Sequence, residues 1–198
     1  VLNVQQVGYY RVDYDAALWR AIIEQLKIKH DEIHEINRAV LQDEIYLAWT
    51  NLNRVTAADC LDILSYFGEE EEPIAWTKAQ SMLNVFNSRL FGTSAYEKFQ
   101  KFLAKITAPH LDENGLEGID GEASSLTSLR SSAKTWNCRA LDEKCLKYEQ
   151  QKLEAYLTSG VLSSTFDFCH ALRLLGDDEY SKIVTAVAAN GTYGSRAS

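Results

Sequence analysis

The sequence predicts an all-α protein, an α-solenoid of stacked antiparallel helix pairs with a short N-terminal β-strand segment. Three observations carry that prediction. Apolar residues return at spacings of three and four along most of the 198 residues, the period of an amphipathic helix. Only two prolines interrupt the chain, and connections of a few residues join the apolar stripes, so successive helices run antiparallel. Alternation of apolar and polar residues occurs only at the start. There Val4, Val7, Tyr10, Val12 and Tyr14, with a slip at Gly8, suit a half-buried strand broken by a bulge.

The elements follow in order. Leu18, Trp19, Ile22, Ile23 and Leu26 form the first helical stripe, and Ile33, Ile36, Val40, Leu41 and Ile45 to Trp49 the second. Thr56 is an N-cap for a helix over 57–67, with Gly68 as its C-cap. Pro73 opens a helix carrying Trp76, Ala79, Met82, Leu83, Phe86 and Leu90, since a first-turn proline loses no helical hydrogen bond. Tyr96, Phe99, Phe102, Leu103 and Ile106 make another, predicted to end at Pro109. A glycine- and acid-rich loop over 112–121 comes next. Helices are then expected through Leu126 to Trp136, Leu146 to Leu157, Ser163 to Leu175 and Asp177 to Ala189. Stacked pairs of this kind build solenoids of the HEAT and armadillo type. Residues 1–14 read as the end of a preceding β-rich domain or a linking strand. Residues 15–198 read as a helical domain truncated at its C-terminal end, whose open end favours self-association.

Composition narrows the function. Asp plus Glu number 28 against 20 for Lys plus Arg, a formal charge of -8 with no offsetting basic patch. Such a surface repels phosphates, so nucleic acid is not an expected partner. No apolar run reaches the roughly eighteen residues that a membrane-spanning helix needs. Cys138 and Cys145 are close enough in sequence to clip a loop where the compartment oxidises them, and are otherwise free thiols. Asn190-Gly191-Thr192 is a glycosylation sequon. Together they point toward the secretory pathway.

No catalytic or metal-binding set emerges from the residues. His30-Asp31-Glu32-Ile33-His34 imitates the H-E-x-x-H zinc signature, but Asp31 stands where the general base belongs and no third ligand follows. It reads as a solvated loop or helix end. Glu69 to Glu72 read as a solvated turn, and Cys60 and Cys169 as small core residues. His110 and His170 have no assignable role. Neither a nucleophile elbow nor a phosphate loop is present.

Several motifs nevertheless resemble one family in order along nearly the whole chain. They are Gly8-Tyr9-Tyr10-Arg11-Val12-Asp13-Tyr14-Asp15 with Trp19, Asn37-Arg38-Ala39 followed by Asp43, Glu44 and Tyr46, and Trp76 at a helix start where Ala75 replaces the usual proline. Cys138, Cys145 and the helix Cys169 fit the same pattern. The chain resembles the C-terminal helical domain of the aminopeptidase N family of zinc aminopeptidases, the endoplasmic reticulum aminopeptidases included.

That resemblance implies a parent enzyme that removes N-terminal residues from peptides, with zinc held in an upstream catalytic domain and no cofactor in this segment. This segment would cap the active-site chamber, limit access and be inactive alone. It implies a Cys138–Cys145 disulfide, a cell-surface parent, and the parent's other domains and peptide substrates as partners, while the sequon predicts a glycan on Asn190. Arg38 is expected to pair with Asp43, Glu44 or the Asp13 to Asp15 turn. In the functional alternative, Arg11 or Arg38 meets a peptide carboxylate. The second reading of the whole chain is a receptor-like binding module without peptidase activity.

Overall fold

The structure, a computed structural model, describes residues 2–159, 172 and 175–189. The expected helix from Ser163 falls outside these residues apart from Leu172 and Leu175. Cys169, His170, the sequon at Asn190 and residues 191–198 lie outside them as well. The chain divides into two compact units, residues 1–140 and 141–198.

In the first unit local sequence signals set the starts of the first four helices. Helix α1, Ala16–Lys29, is capped by Asp15, whose carboxylate accepts from the Ala17 and Leu18 amides at 2.9 and 2.8 Å. It buries Trp19, Ile22, Ile23 and Leu26, and Tyr14 meets Trp19 edge to face at 5.1 Å. A 3-10 turn over His30–Glu32 leads to α2, Glu35–Thr50. Helix α3, Ala57–Ile63, starts at a capping box in which the Asp59 amide donates to Thr56 Oγ1 and the Thr56 amide donates to Asp59 Oδ2. Helix α4, Pro73–Leu90, has its proline at the start. Helices α5, Tyr96–Asn114, and α6, Ser124–Arg139, complete the unit. Helix α2 packs on α4, α5 on α6, and α4 also touches α5 and α6. One contiguous core runs through them, with Trp19, Trp76, Trp136, Phe67, Ile45 and Leu103 wholly enclosed.

The second unit contains α7, Glu143–Ser159, and α8, Asp177–Ala189. Asp142 caps α7 by accepting from the Lys144 and Cys145 amides. Leu153 and Ile183 form a small core with Leu172 and Leu175 against it. Cys138 and Cys145 are both disulfide-bonded.

The fold is all-α, and three expectations are corrected. No strand occurs among the described residues. Residues 4–6 form a 3-10 turn, and the rest of the N-terminal segment is irregular up to Asp15. No second strand is at hand to complete a ladder, so side-chain amides satisfy this backbone instead. Asn3 Nδ2 donates to the Gly8 and Tyr10 carbonyls at 2.9 Å, and Asn3 Oδ1 accepts from the Gly8 amide at 2.8 Å. Asn37 of α2 then binds this turn through the Gln5 amide and the Asn3 carbonyl.

The other corrections concern helix ends. Helix α3 stops at Ile63 and turns carry the chain to Gly68, so Gly68 is not its C-cap. Helix α5 continues through Pro109 to Asn114. The proline leaves the Lys105 carbonyl without its helical donor. Gly68 packs there, a methyl at its position lying 3.6 Å from both that carbonyl and the proline ring. One residue on, His110 Nε2 meets the Phe67 carbonyl at 2.6 Å. This tertiary contact holds the turn against a helix that local rules would have ended. The long loop therefore spans residues 115–123 and begins with Gly115 at φ 70°.

The first unit buries two arginines, Arg38 and Arg130, and Arg130 of α6 carries a pH dependence. Its guanidinium grips Glu122, which holds that carboxyl down to about 2 from an ordinary 4.5. A depressed carboxyl stabilises fully above its unfolded value and loses that contribution as pH falls through its folded value. Acid titration should therefore erode the melting temperature between about pH 4.5 and 2 more steeply in the native chain than in Glu122→Gln. Parallel curves for the two proteins would refute this.

Candidate functional site

The arginines singled out by the sequence have different environments. Arg38, on the first turns of α2, is 6 % exposed and faces Glu70, which is 0 % exposed. The pair is bidentate, Nε and Nη2 donating to the two carboxylate oxygens at 2.6 and 2.8 Å, while Nη1 donates to the Ile33 carbonyl at 2.7 Å. This corrects both the expected partners of Arg38 and the picture of Glu69 to Glu72 as a solvated turn. Glu70 comes inside and the others stay outside.

Glu70 organises its whole surroundings. Its carboxylate accepts from the Tyr66 hydroxyl at 2.9 Å and the Glu72 amide at 3.0 Å, and its carbonyl accepts from Trp76 Nε1 at 2.9 Å. Trp76 is edge-on to Phe67 and to His110, at 4.9 and 5.5 Å between ring centres. Burial pulls the Arg38 guanidinium down, and the hydrogen bonds and charge of Glu70 more than reverse this, leaving it above its ordinary value. Burial and the same carboxylate push the Tyr66 phenol well above its usual range. The arrangement is a polar node in which Arg38, Glu70 and Tyr66 are paired with one another. It fixes the 64–70 turn to α2, α4 and α5.

Arg11 is the exposed counterpart. Its Nε lies 3.2 Å from Glu44 Oε2, with the arginine side chain 61 % exposed and the glutamate 10 %. Of its neighbours in the motif, Tyr9 and Tyr10 are exposed, and a methyl on Gly8 would collide with the Tyr10 ring. A separate cleft of about 290 Å3 lies between the start of α4 and the α5–α6 loop stems, lined by Glu71, Glu72, Pro73, Glu113, Ser125 and Leu129 among others.

The imitation zinc motif does not assemble. His30 lies in the 3-10 turn, stacked on Tyr66 with ring centres 5.5 Å apart, whereas His34 caps α2 by accepting from the Ile36 amide. Among the described residues no group of three His, Cys, Asp or Glu side chains is placed to hold a metal ion, so these residues do not fit zinc. Cys60 is buried, its thiol pushed up to about 12 by desolvation with a contribution from Asp59. No described helix is long and apolar enough to cross a membrane.

Sequence reasoning missed Glu70, Asn3, Glu122 and Arg130. Asn3 carries no local signal, Asn37 was marked only as part of a motif, and Glu70 is hidden in a run of four identical residues.

Among the described residues, Arg38, Asn37 and Trp76 each make hydrogen bonds within the first unit. Residues 1–193 match the family described as the ERAP1-like C-terminal domain. The chain belongs to that family. This ERAP1-like C-terminal domain is 32% identical to an aminopeptidase N of Plutella xylostella over 178 residues, 87% of the chain and 19% of the relative. It is 25% identical to a membrane alanyl aminopeptidase of Heliothis virescens over 198 residues, 98% of the chain and 20% of the relative. A thyrotropin-releasing hormone-degrading ectoenzyme of Mus musculus matches at 30% over 106 residues, 54% of the chain and 10% of the relative. The chain thus spans about a fifth or less of the length of these curated relatives and corresponds to the C-terminal part of such aminopeptidases.

Proposed function

We propose that this domain is the non-catalytic cover of a zinc aminopeptidase, closing its active-site chamber and limiting which peptides enter. The observation that supports it is the family match over residues 1–193, in a chain whose described residues hold no metal-binding cluster. In this reading the parent's upstream domain holds zinc and performs peptide hydrolysis. The helix pairs α2 with α4 and α5 with α6 continue as a solenoid whose partners are the other parent domains. Self-association belongs to the same reading.

Of the two arginines, Arg11 is the peptide contact. Arg38 is spent on Glu70 and Ile33, whereas Arg11 offers a largely exposed guanidinium to a substrate carboxylate. Cys138 and Cys145 pair with each other, and Asn190 carries a glycan, in a parent at the cell surface. Both cysteines being oxidised supports that compartment.

The test uses the full-length parent with Arg11→Ala. Its KM for peptides with a free C-terminal carboxylate should rise roughly fivefold, the ~1 kcal/mol of an exposed ion pair, with kcat unchanged. Single aminoacyl substrates should be unaffected. A native parent that hydrolyses no peptide would instead favour the receptor-like module. An unchanged KM in an active parent would remove Arg11 from the reading.

A further inference from the structure

The loop over residues 115–123 has three glycines and an isoleucine, Ile119, that is 74 % exposed. Such a segment is expensive to order, at about 1–2 kcal/mol of backbone entropy per residue, and its glycines raise that cost. It is nonetheless anchored at both stems by a single side chain from α6. Arg130, 5 % exposed, donates from Nε to the Asn114 carbonyl at 3.1 Å on the entering stem. On the leaving stem it grips both oxygens of Glu122, Nη2 to Oε2 at 2.6 Å and Nη1 to Oε1.

Further contacts tighten the same closure. Thr127 Oγ1 donates to Glu122 Oε1 at 3.0 Å, and the Glu122 amide donates to the Ile119 carbonyl at 3.1 Å. The loop backbone folds down onto the pair at Gly118. A methyl there would lie 2.9 Å from Glu122 Oε1 and 3.3 Å from Arg130 Nη1. A bidentate arginine–carboxylate pair is directional as well as strong, so it fixes a geometry where a lysine would only supply charge.

We propose that Arg130 is a strap that locks the α5–α6 loop in one closed conformation, with Glu122 as its latch and Gly118 as the seat that lets the loop close over it. The strap also fixes one edge of the acidic cleft, because Glu113, Asn114 and Ser125, at the loop's two stems, line that cleft. Releasing the strap opens the loop while leaving the helices folded. The device is independent of the chamber-cover reading, since every group in it belongs to the first unit.

Cleavage after Glu117 by a glutamate-specific endoprotease tests this on the full-length parent, because a protease needs the loop extended and so reports the open population. Arg130→Met should raise the rate at Glu117 at least tenfold, with Arg130→Lys in between, while cleavage after Glu24, within α1, stays far slower than at Glu117 in every variant. A change of less than twofold at Glu117 overturns the strap. A rate at Glu24 as high as that at Glu117 also overturns it, because the loop would then open only with the whole unit. Should Arg130→Met fail to fold, Glu122→Gln decides, since it removes the charge and one acceptor oxygen of the latch. Faster cleavage after Glu117 supports the strap, and an unchanged rate refutes it.

Discussion

Replacing Glu70 by alanine should cost the first unit about 3–5 kcal/mol, the usual penalty for removing one partner of a buried ion pair. The residue has no exposure, and its carboxylate is shared by Arg38, Tyr66 and the Glu72 amide. Its loss leaves the Arg38 charge inside the protein with the Ile33 carbonyl as its remaining hydrogen-bond acceptor. The pair by itself is a weak source of net stability, because both ions were taken out of water. The double variant Arg38→Met with Glu70→Leu should therefore be more stable than Glu70→Ala. Urea unfolding at neutral pH measures both. A Glu70→Ala loss under about 1 kcal/mol, or a double variant less stable than the single, would contradict the buried-node account.

Trp76→Ala should be of similar size, about 3–5 kcal/mol, for a different reason. The ring is wholly enclosed, and truncation leaves a cavity beside Phe67 and His110 that a helix-packed core closes only in part. Trp76→Phe separates the two contributions. It keeps most of the packing but removes the Nε1 donor from the Glu70 carbonyl, a loss of about 1–3 kcal/mol for a buried acceptor left bare. Because Trp76 and Glu70 share one network, Trp76→Ala and Glu70→Ala together should cost less than their sum. Strict additivity in urea denaturation would show that ring and carboxylate act independently.

Both predictions concern residues that sequence reasoning treated unequally. Trp76 was legible, as a large apolar residue on the buried face of a helix whose start was marked by Pro73. Glu70 was not. Nothing in Glu69-Glu70-Glu71-Glu72 distinguishes the one that turns inward, because the selection is made by Arg38, more than thirty residues earlier. Arg38 itself was recognised as a pairing residue, but its partner was sought at Asp43, Glu44 or the Asp13 to Asp15 turn. The distant Glu70 won because it offers two oxygens in the plane of the guanidinium inside the core.

The N-terminal motif shows the same division. Alternating side chains at Val4 to Tyr14 are the mark of a strand, yet a strand exists only with a neighbour to share its hydrogen bonds. Without one, Asn3 and Asn37 satisfy the backbone and the segment becomes a turn and an irregular run. Arg130 and Glu122 went unnoticed because a residue on an acidic loop and another on a helix show no link until the loop closes. Tertiary contact likewise overrode the stop signal at Pro109, where Gly68 and His110 hold a turn against the gap in the helix.

The sequence by itself determined what depends on near neighbours. It set the helical class through the apolar period, and helix starts through Asp15, Thr56 with Asp59, and Pro73, since caps and propensities act within a turn or two of chain. The resemblance to the family that residues 1–193 match was also read there. Only the tertiary structure decided which acid is buried, which arginine is left exposed and which loop is strapped down. Those outcomes depend on groups brought together from distant positions, where desolvation and hydrogen-bond geometry favour one partner among residues that are chemically alike.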